Sequence, residues 1–408
     1  MLSVDRWQEI YDVVRHNKLR TFLTALSVAW GIFMLVILLG AGSGLQNSAQ
    51  YNFRDDAVNS IWIFRGRTSV PHKGLPTRRR IVFNNADYDE LKGIKGVEHT
   101  TGRLWRGGSN VSYKGKKSGF DIRPVHPGHK YLENTIMRTG RFLNDLDLKD
   151  RRKVAVIGVK VKKHLFGREK PIGKYININQ ILFRVIGVFD DIGGEGEQRK
   201  IYIPISTAQM AFNGGDKMHM MMFTVGSATV AESKVVADNV NRMLSRNHRF
   251  SPKDKRAVRV RNNVENFDKI NSMFKWIRMF IWIVGIGTII AGIVGISNIM
   301  LISVKERTRE IGLRKALGAT PMSIVSLIMQ EALMITSIAG YCGLVAGVLV
   351  VEGINKYVPE NDFIRNPEVD FGVVVSATLL LIASGALAGF FPARKAAKVN
   401  PVVALRDE

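Results

Sequence analysis

Four runs of apolar residues punctuate the chain, at 22–41, 277–304, 332–351 and 371–391, and Arg278, at the edge of the second, is the one charged residue inside them. Each is close to the roughly 20 residues that a helix needs to cross a bilayer, so four transmembrane helices are predicted. Between the first and second runs the pattern changes. Short β-type runs at 154–158, 175–178, 183–188 and 201–204 alternate with helical periodicity at 86–92, 159–166 and 230–244. That predicts a large extracytoplasmic α+β domain over residues 46–263, big enough for one or two subdomains. Phe267, Ile270, Met273 and Phe274 then keep helical spacing straight into the second apolar run. Residues 264–304 therefore predict one helix of about forty residues, roughly 60 Å long, a stalk reaching beyond the bilayer. At the start, Trp7, Ile10, Tyr11 and Val14 make one apolar stripe, which predicts an amphipathic helix over residues 1–20 at the membrane interface. The small residues at 40–44 read as the exit from the first span, taken over 21–45.

The segment joining the second and third spans, residues 305–330, carries the most local detail. Glu310 precedes Arg314 by four residues, Glu306 and Arg309 form an i,i+3 pair, and Ile311, Leu313 and Leu317 supply apolar contacts, which together predict a short helix. Gly318 suits the residue just past a helix, and Thr320 before Pro321 reads as the N-cap of the next one. A loop that only set topology would need the positive charge but not the caps. The segment is therefore read as a docking element, with Lys305, Glu306, Arg307, Arg309, Glu310, Ile311, Leu313, Arg314, Lys315, Leu317 and Gly318 as coupling residues. Glu331 is expected at the interface, at the start of a third span over 331–351, with 321–330 as a juxtamembrane helix; a buried proton-relay carboxylate is the alternative.

Charge settles the expected orientation. The formal net charge is +24, which in a chain without spans would suggest nucleic acid. Here the spans point to a membrane instead. Lys and Arg number four in residues 1–20, five in 305–315 and four in 394–408, whereas residues 352–370 carry two against five acids. The excess puts both termini and the 305–330 segment in the cytoplasm, and the 352–370 loop and the large domain outside. The fourth span is taken as 371–391 and the tail as 392–408. The lone Cys342 permits no disulfide within the chain.

Candidate chemistry is sparse. No G-x-x-x-x-G-K-[ST] phosphate loop occurs; the nearest stretch, 167–175, has the wrong spacing and ends on Tyr175. The spans also lack the paired charges and Gly/Pro-broken segments of an ion-coupled carrier. His126 and His129 could ligate a metal, but two ligands in a proline-bounded loop read rather as surface histidines. The run 218–222, Met-His-Met-Met-Met, offers soft donors for Cu(I) but reads as core filler. Basic clusters at 78–80, 114–117 and 151–153 read as solvated faces, or as contacts for anionic lipid or an acidic partner. No nucleophile–base arrangement suggests hydrolysis, and no bound cofactor or metal is expected.

The segments 19–28 and 40–46, 154–158, 165–167, 171–174, 183–188 and 202–209, the 297–319 stretch, 330–333 and 391–406 together resemble a MacB-like/FtsX-like ABC transporter permease. The resemblance implies a dimer, homo- or heteromeric, that recruits ABC ATPase subunits on a separate chain, with ATP and magnesium held there. It further implies mechanotransmission for export or efflux, from a bacterial inner membrane, with a periplasmic adaptor and an outer-membrane duct as possible partners. Regulation of a cell-wall hydrolase or sensor, and release of lipoproteins, are the alternatives it leaves. One departure from the family pattern lies at Asn179-Gln180, where relatives often carry an Asn-Gly type of hairpin.

Overall fold

The computed structural model describes residues 18–51, 56–104, 109–359 and 364–406, so the amphipathic pattern expected at 1–20 falls almost wholly outside the described residues. The chain divides into two compact units, Gln50–Asn271 on one side and Met1–Ala49 with Ser272–Glu408 on the other.

The second of these is a helical bundle. Helices Lys18–Tyr51, Asn263–Glu306, Pro321–Tyr357 and Phe371–Ala397 contain segments long and apolar enough to cross a membrane. All four overrun the apolar runs that predicted them, because the helix pattern continues beyond the stretch that lipid requires. Residues 40–44 are a case in point. They do not end the first helix, which continues to Tyr51, but pack it: a Cβ on Gly40 would lie 2.7 Å from Val351 Cγ2, and one on Gly44 3.0 Å from Ile364. Ser43 Oγ donates to the Glu368 carbonyl at 2.7 Å and accepts from the Glu368 N–H at 3.0 Å, which ties this face to the loop before the fourth helix. Arg278 Nη2 donates to Gln46 Oε1 at 3.0 Å. Likewise residues 321–330 are no separate juxtamembrane helix, because nothing interrupts the helix between Pro321 and Tyr357.

Glycines on the third helix let its neighbours approach closely, as membrane helices require in the absence of a hydrophobic drive between them. A Cβ on Gly343 would lie 2.2 Å from the Ala29 carbonyl oxygen of the first helix, and one on Gly340 1.9 Å from Leu381 of the fourth. The bundle core is built from Val28, Ile32, Ile289, Ile296, Ile328, Ala332, Leu381 and Ala388, among others. Large apolar side chains such as Trp30, Ile283, Leu349 and Leu379 face outward, as a lipid-facing surface would.

The inserted unit has thirteen strands among its described residues: β1 (Ser60–Arg65), β2 (Phe83–Asn84), β3 (Thr100–Arg103), β4 (Ser109–Tyr113), β5 (Lys116–Val125), β6 (Ile136–Gly140), β7 (Val154–Gly158), β8 (Tyr175–Ile178), β9 (Ile181–Asp190), β10 (Lys200–Pro204), β11 (Lys217–Met218), β12 (Met220–Thr224) and β13 (Val258–Asn262). Strands β10, β7, β9, β8, β4 and β5 pair in that order and β5 pairs back to β10, closing a ring. The second half of β5 does both jobs, running parallel to β10 and meeting β3 at Arg103–Val125. From β3 the same sheet continues through β12 and β1 to β13. The α+β expectation is realised here. Helix Val230–His248 starts in a capping box between Thr229 and Glu232 and turns Val236, Val240 and Leu244 into the core.

Candidate functional site

Thr308–Ala316 is a helix in its own right, separated from Asn263–Glu306 by Arg307. Its exit follows the caps written in the sequence. The Gly318 N–H reaches the Lys315 carbonyl at 3.1 Å and the Ala319 N–H the Arg314 carbonyl at 3.0 Å, a Schellman pair that needs the left-handed φ of +96° at Gly318. Thr320 then accepts from the Ser323 N–H, with Pro321 at the first position of the third helix. Arg314 Nη2 donates to Glu310 Oε1 at 2.8 Å, the i,i+4 pair.

The residues that the sequence marks for coupling divide by face. Lys305, Glu306, Arg309, Glu310, Leu313, Leu317 and Gly318 are exposed; Arg307, Arg314 and Lys315 are half-buried; Ile311 is buried. The sequence grouped Leu313 and Leu317 with Ile311 as apolar contacts, but Leu317 is 80% exposed, and Met322 joins it in solvent. The inward face is already occupied: a Cβ on Gly312 would lie 2.7 Å from Ala404 of the terminal helix Pro401–Arg406. Lys315 also looks inward, where its Nζ donates to the carbonyls of Ala397 (2.9 Å) and Val399 (2.7 Å) at the end of the fourth helix. A cation there satisfies orphan carbonyls and the negative end of the helix dipole. Arg307 reaches the third helix, its Nη1 lying 3.9 Å from Glu331 Oε2. Glu331 is buried within the bundle and borders a cavity of about 20 Å³ shared with Arg307, Glu310 and Arg314, room for about one water molecule. The short helix is thus fastened to the second helix by chain, to the third by Arg307 and to the fourth by Lys315, and it shows a mixed charged and apolar face to solvent.

In the inserted unit, sequence reasoning passed over a buried ionic cluster. Glu133 accepts from Arg123 Nη1 (2.8 Å) and the Tyr202 hydroxyl (3.0 Å), with His129 Nε2 at 3.3 Å and Lys200 Nζ at 3.5 Å. Burial works against charge on Glu133, but His129, Arg123 and Lys200 outweigh it and hold the carboxyl well below the usual carboxylate range. The parallel register Tyr202–Arg123 brings these groups together, and spacing along the chain could not have announced it. His126 and His129 are core residues, not surface ones. His126 Nδ1 accepts the Gly102 N–H at 2.9 Å and its ring stacks on Tyr88 at 3.7 Å, while burial lowers its pKa to about 3. Met218, Met220, Met221 and Met222 are buried, as the core-filler reading has it. Among the described residues no group of three or more His, Cys, Asp or Glu is placed to hold a metal ion.

A family model of the MacB-like periplasmic core domain matches residues 21–241, and one of the FtsX-like permease C-terminal region matches residues 282–401. The macrolide export ATP-binding/permease protein MacB of Bdellovibrio bacteriovorus is 28% identical over 99% of this chain and 62% of its own length. That of Chlorobium phaeobacteroides is 30% identical over 98% of this chain and 60% of its own. The chain thus spans about three fifths of these relatives. An uncharacterised ABC transporter permease of Methanocaldococcus jannaschii is 27% identical over 97% of this chain and 96% of its own length. Among solved structures, the periplasmic region of MacB from Actinobacillus actinomycetemcomitans aligns with 54% of this chain and 96% of its own at 21% identity, with a TM-score of 0.44.

Proposed function

This chain belongs to the MacB-like, FtsX-like ABC transporter permeases, a multi-pass membrane family, and from that premise we propose that it converts ATP hydrolysis by a partner ATPase into movement of its inserted domain, in the service of export or efflux. Thr308–Ala316 receives the ATPase on the cytoplasmic side of a bacterial inner membrane, and both termini lie on that side. The observation that carries the reading is the triple fastening of that helix. A force applied to its exposed face, through Glu306, Arg309, Glu310, Leu313 and Leu317, passes to the third helix through Arg307 and to the fourth through Lys315. The same force enters the second helix directly, and that helix, Asn263–Glu306, also contains residues of the inserted unit.

ATP and magnesium reside on the partner, and this chain itself transmits rather than hydrolyses. Two copies of the permease, alike or different, are the assembly that two ATPase subunits call for, with a periplasmic adaptor and an outer-membrane duct as further partners.

The test is reconstitution of the chain with its ATPase in nanodiscs. Glu310→Lys or Arg314→Glu is expected to remove the permease-dependent stimulation of ATP hydrolysis while leaving insertion intact. Stimulation undiminished in both variants overturns the assignment of this face. Purification with native partners then separates the uses of the movement, since an adaptor, a hydrolase or a lipoprotein would co-elute in the three cases.

A further inference from the structure

Strand β13 ends the order of the large sheet, and among the described residues no strand pairs its outer edge. A groove of about 780 Å³ runs along that edge. Its second wall is the flank of helix Val230–His248, at Lys234, Ala237, Asp238 and Asn241. Two hydrogen bonds set the spacing: Asn262 Nδ2 donates to Ser233 Oγ at 2.8 Å, and Asn241 Nδ2 to the Pro252 carbonyl at 2.9 Å. On the strand, Val260 is 36% exposed between the buried Val258 and Asn262, an apolar foothold at the centre of the groove.

The lining is basic. Lys234, Lys253, Lys255, Arg259, Arg261 and Lys269 face three carboxylates, Asp238, Asp254 and Glu265. Two of those three are already engaged. Asp254 accepts from the backbone N–H groups of Ser69, Val70, Arg256 and Ala257, and Glu265 pairs with Lys234 (3.5 Å) and Lys269 (2.7 Å). The guanidinium groups of Arg259 and Arg261 lie over the rings of Phe64 and Trp62, at 4.7 and 5.4 Å, which holds them beside the edge.

We propose that this groove receives an extended acidic segment of a partner protein, which adds a strand to β13 and sets its carboxylates against Lys253, Lys255 and Arg259. An edge strand between a sheet and a helix offers the incoming backbone a row of unpaired N–H and C=O groups, and the side chains of the two walls select its sequence. A second copy of this chain is a poor occupant, since edge-to-edge pairing would bring Arg259 and Arg261 against their own kind. A bilayer surface satisfies the cations but has no backbone to pair with the edge. The groove lies wholly inside the inserted unit, so its assignment stands apart from the transport reading.

The probe is a fluorescein-labelled eight-residue peptide of alternating valine and glutamate, titrated by anisotropy against the full chain in nanodiscs of zwitterionic lipid. Saturable binding is expected, and it should weaken by about tenfold or more in two ways. One is Lys253→Glu with Lys255→Glu, both exposed, with an unchanged thermal melting profile as the control for folding. The other is N-methylation of every second peptide bond, in one of the two frames, which removes donors on one edge of the peptide. No binding, binding indifferent to the double substitution, or binding indifferent to methylation in both frames each overturns the proposal. So does displacement of the peptide by phosphatidylglycerol vesicles that themselves bind in a Lys253- and Lys255-dependent manner, because the site would then be a lipid contact.

Discussion

At Gln180 a side chain sits in a backbone region that residues other than glycine rarely adopt. Asn179 and Gln180 sit at φ +49° and +71°, and Ile178 pairs with Ile181, so the link between β8 and β9 is a two-residue turn with both residues left-handed. Asparagine tolerates that region; glutamine gains nothing from it. Gln180→Gly should therefore raise the stability of the inserted unit by about 1 kcal/mol, read as a shift in the denaturation midpoint, and no gain would mean the turn is not strained there. His126 makes a second prediction. Its folded pKa of about 3 lies below the ordinary imidazole value of 6.5, so the unfolded chain takes up a proton that the folded domain refuses as pH falls from 6.5 towards 3. Stability conferred by the neutral ring is complete above 6.5 and is lost through that window, by as much as about 5 kcal/mol. His219, lowered to about 4 by burial, acts in the same direction. Denaturation followed between pH 7 and pH 4 should show the loss, and His126→Gln should flatten it. The sequence quoted both histidines of the 126–129 pair correctly and misread their setting, because exposure is decided by what packs over a loop.

Among the elements, the Thr308–Ala316 helix was almost fully legible. Its ion pair, its glycine exit and the cap of its successor depend on residues within a few positions of one another, and each appears where the spacing put it. Its faces were not legible. Whether Leu317 or Ile311 goes inward depends on Gly312 meeting Ala404, and whether Lys315 points outward depends on the end of the fourth helix, some eighty residues away. The third helix presents the same contrast. Its apolar run was plain in the sequence, whereas the use of Gly343 as the seat of the first helix's backbone was not. Gly343→Leu should force the two helices apart at a cost of about 2 kcal/mol or more, seen as a lower melting temperature of the detergent-solubilised chain. A variant as stable as the parent would show that the contact at Ala29 is not needed.

For the whole molecule, two helices contribute residues to both units: Asn263–Glu306 gives the inserted unit its residues up to Asn271, and Lys18–Tyr51 gives it Gln50 and Tyr51. Four glycines inserted after Met273 should break the continuity of Asn263–Glu306, since each costs about 1 kcal/mol in a helix interior. Stimulation of the ATPase is then expected to survive, while the response of spin labels on the inserted domain to added ATP disappears; labels that still respond would mean that coupling runs by another route. The sequence alone determined the four spans, the α+β insertion, the long second helix and the caps of the 305–320 segment. All of these follow from periodicity and short-range spacing, which a linear text records. Tertiary structure decided the burial of Glu331, the inward turn of Lys315, the Glu133 cluster between β5 and β10, and the open edge of β13. Each of those depends on which other segment lies alongside, and pairing between separate elements leaves no mark in the local pattern.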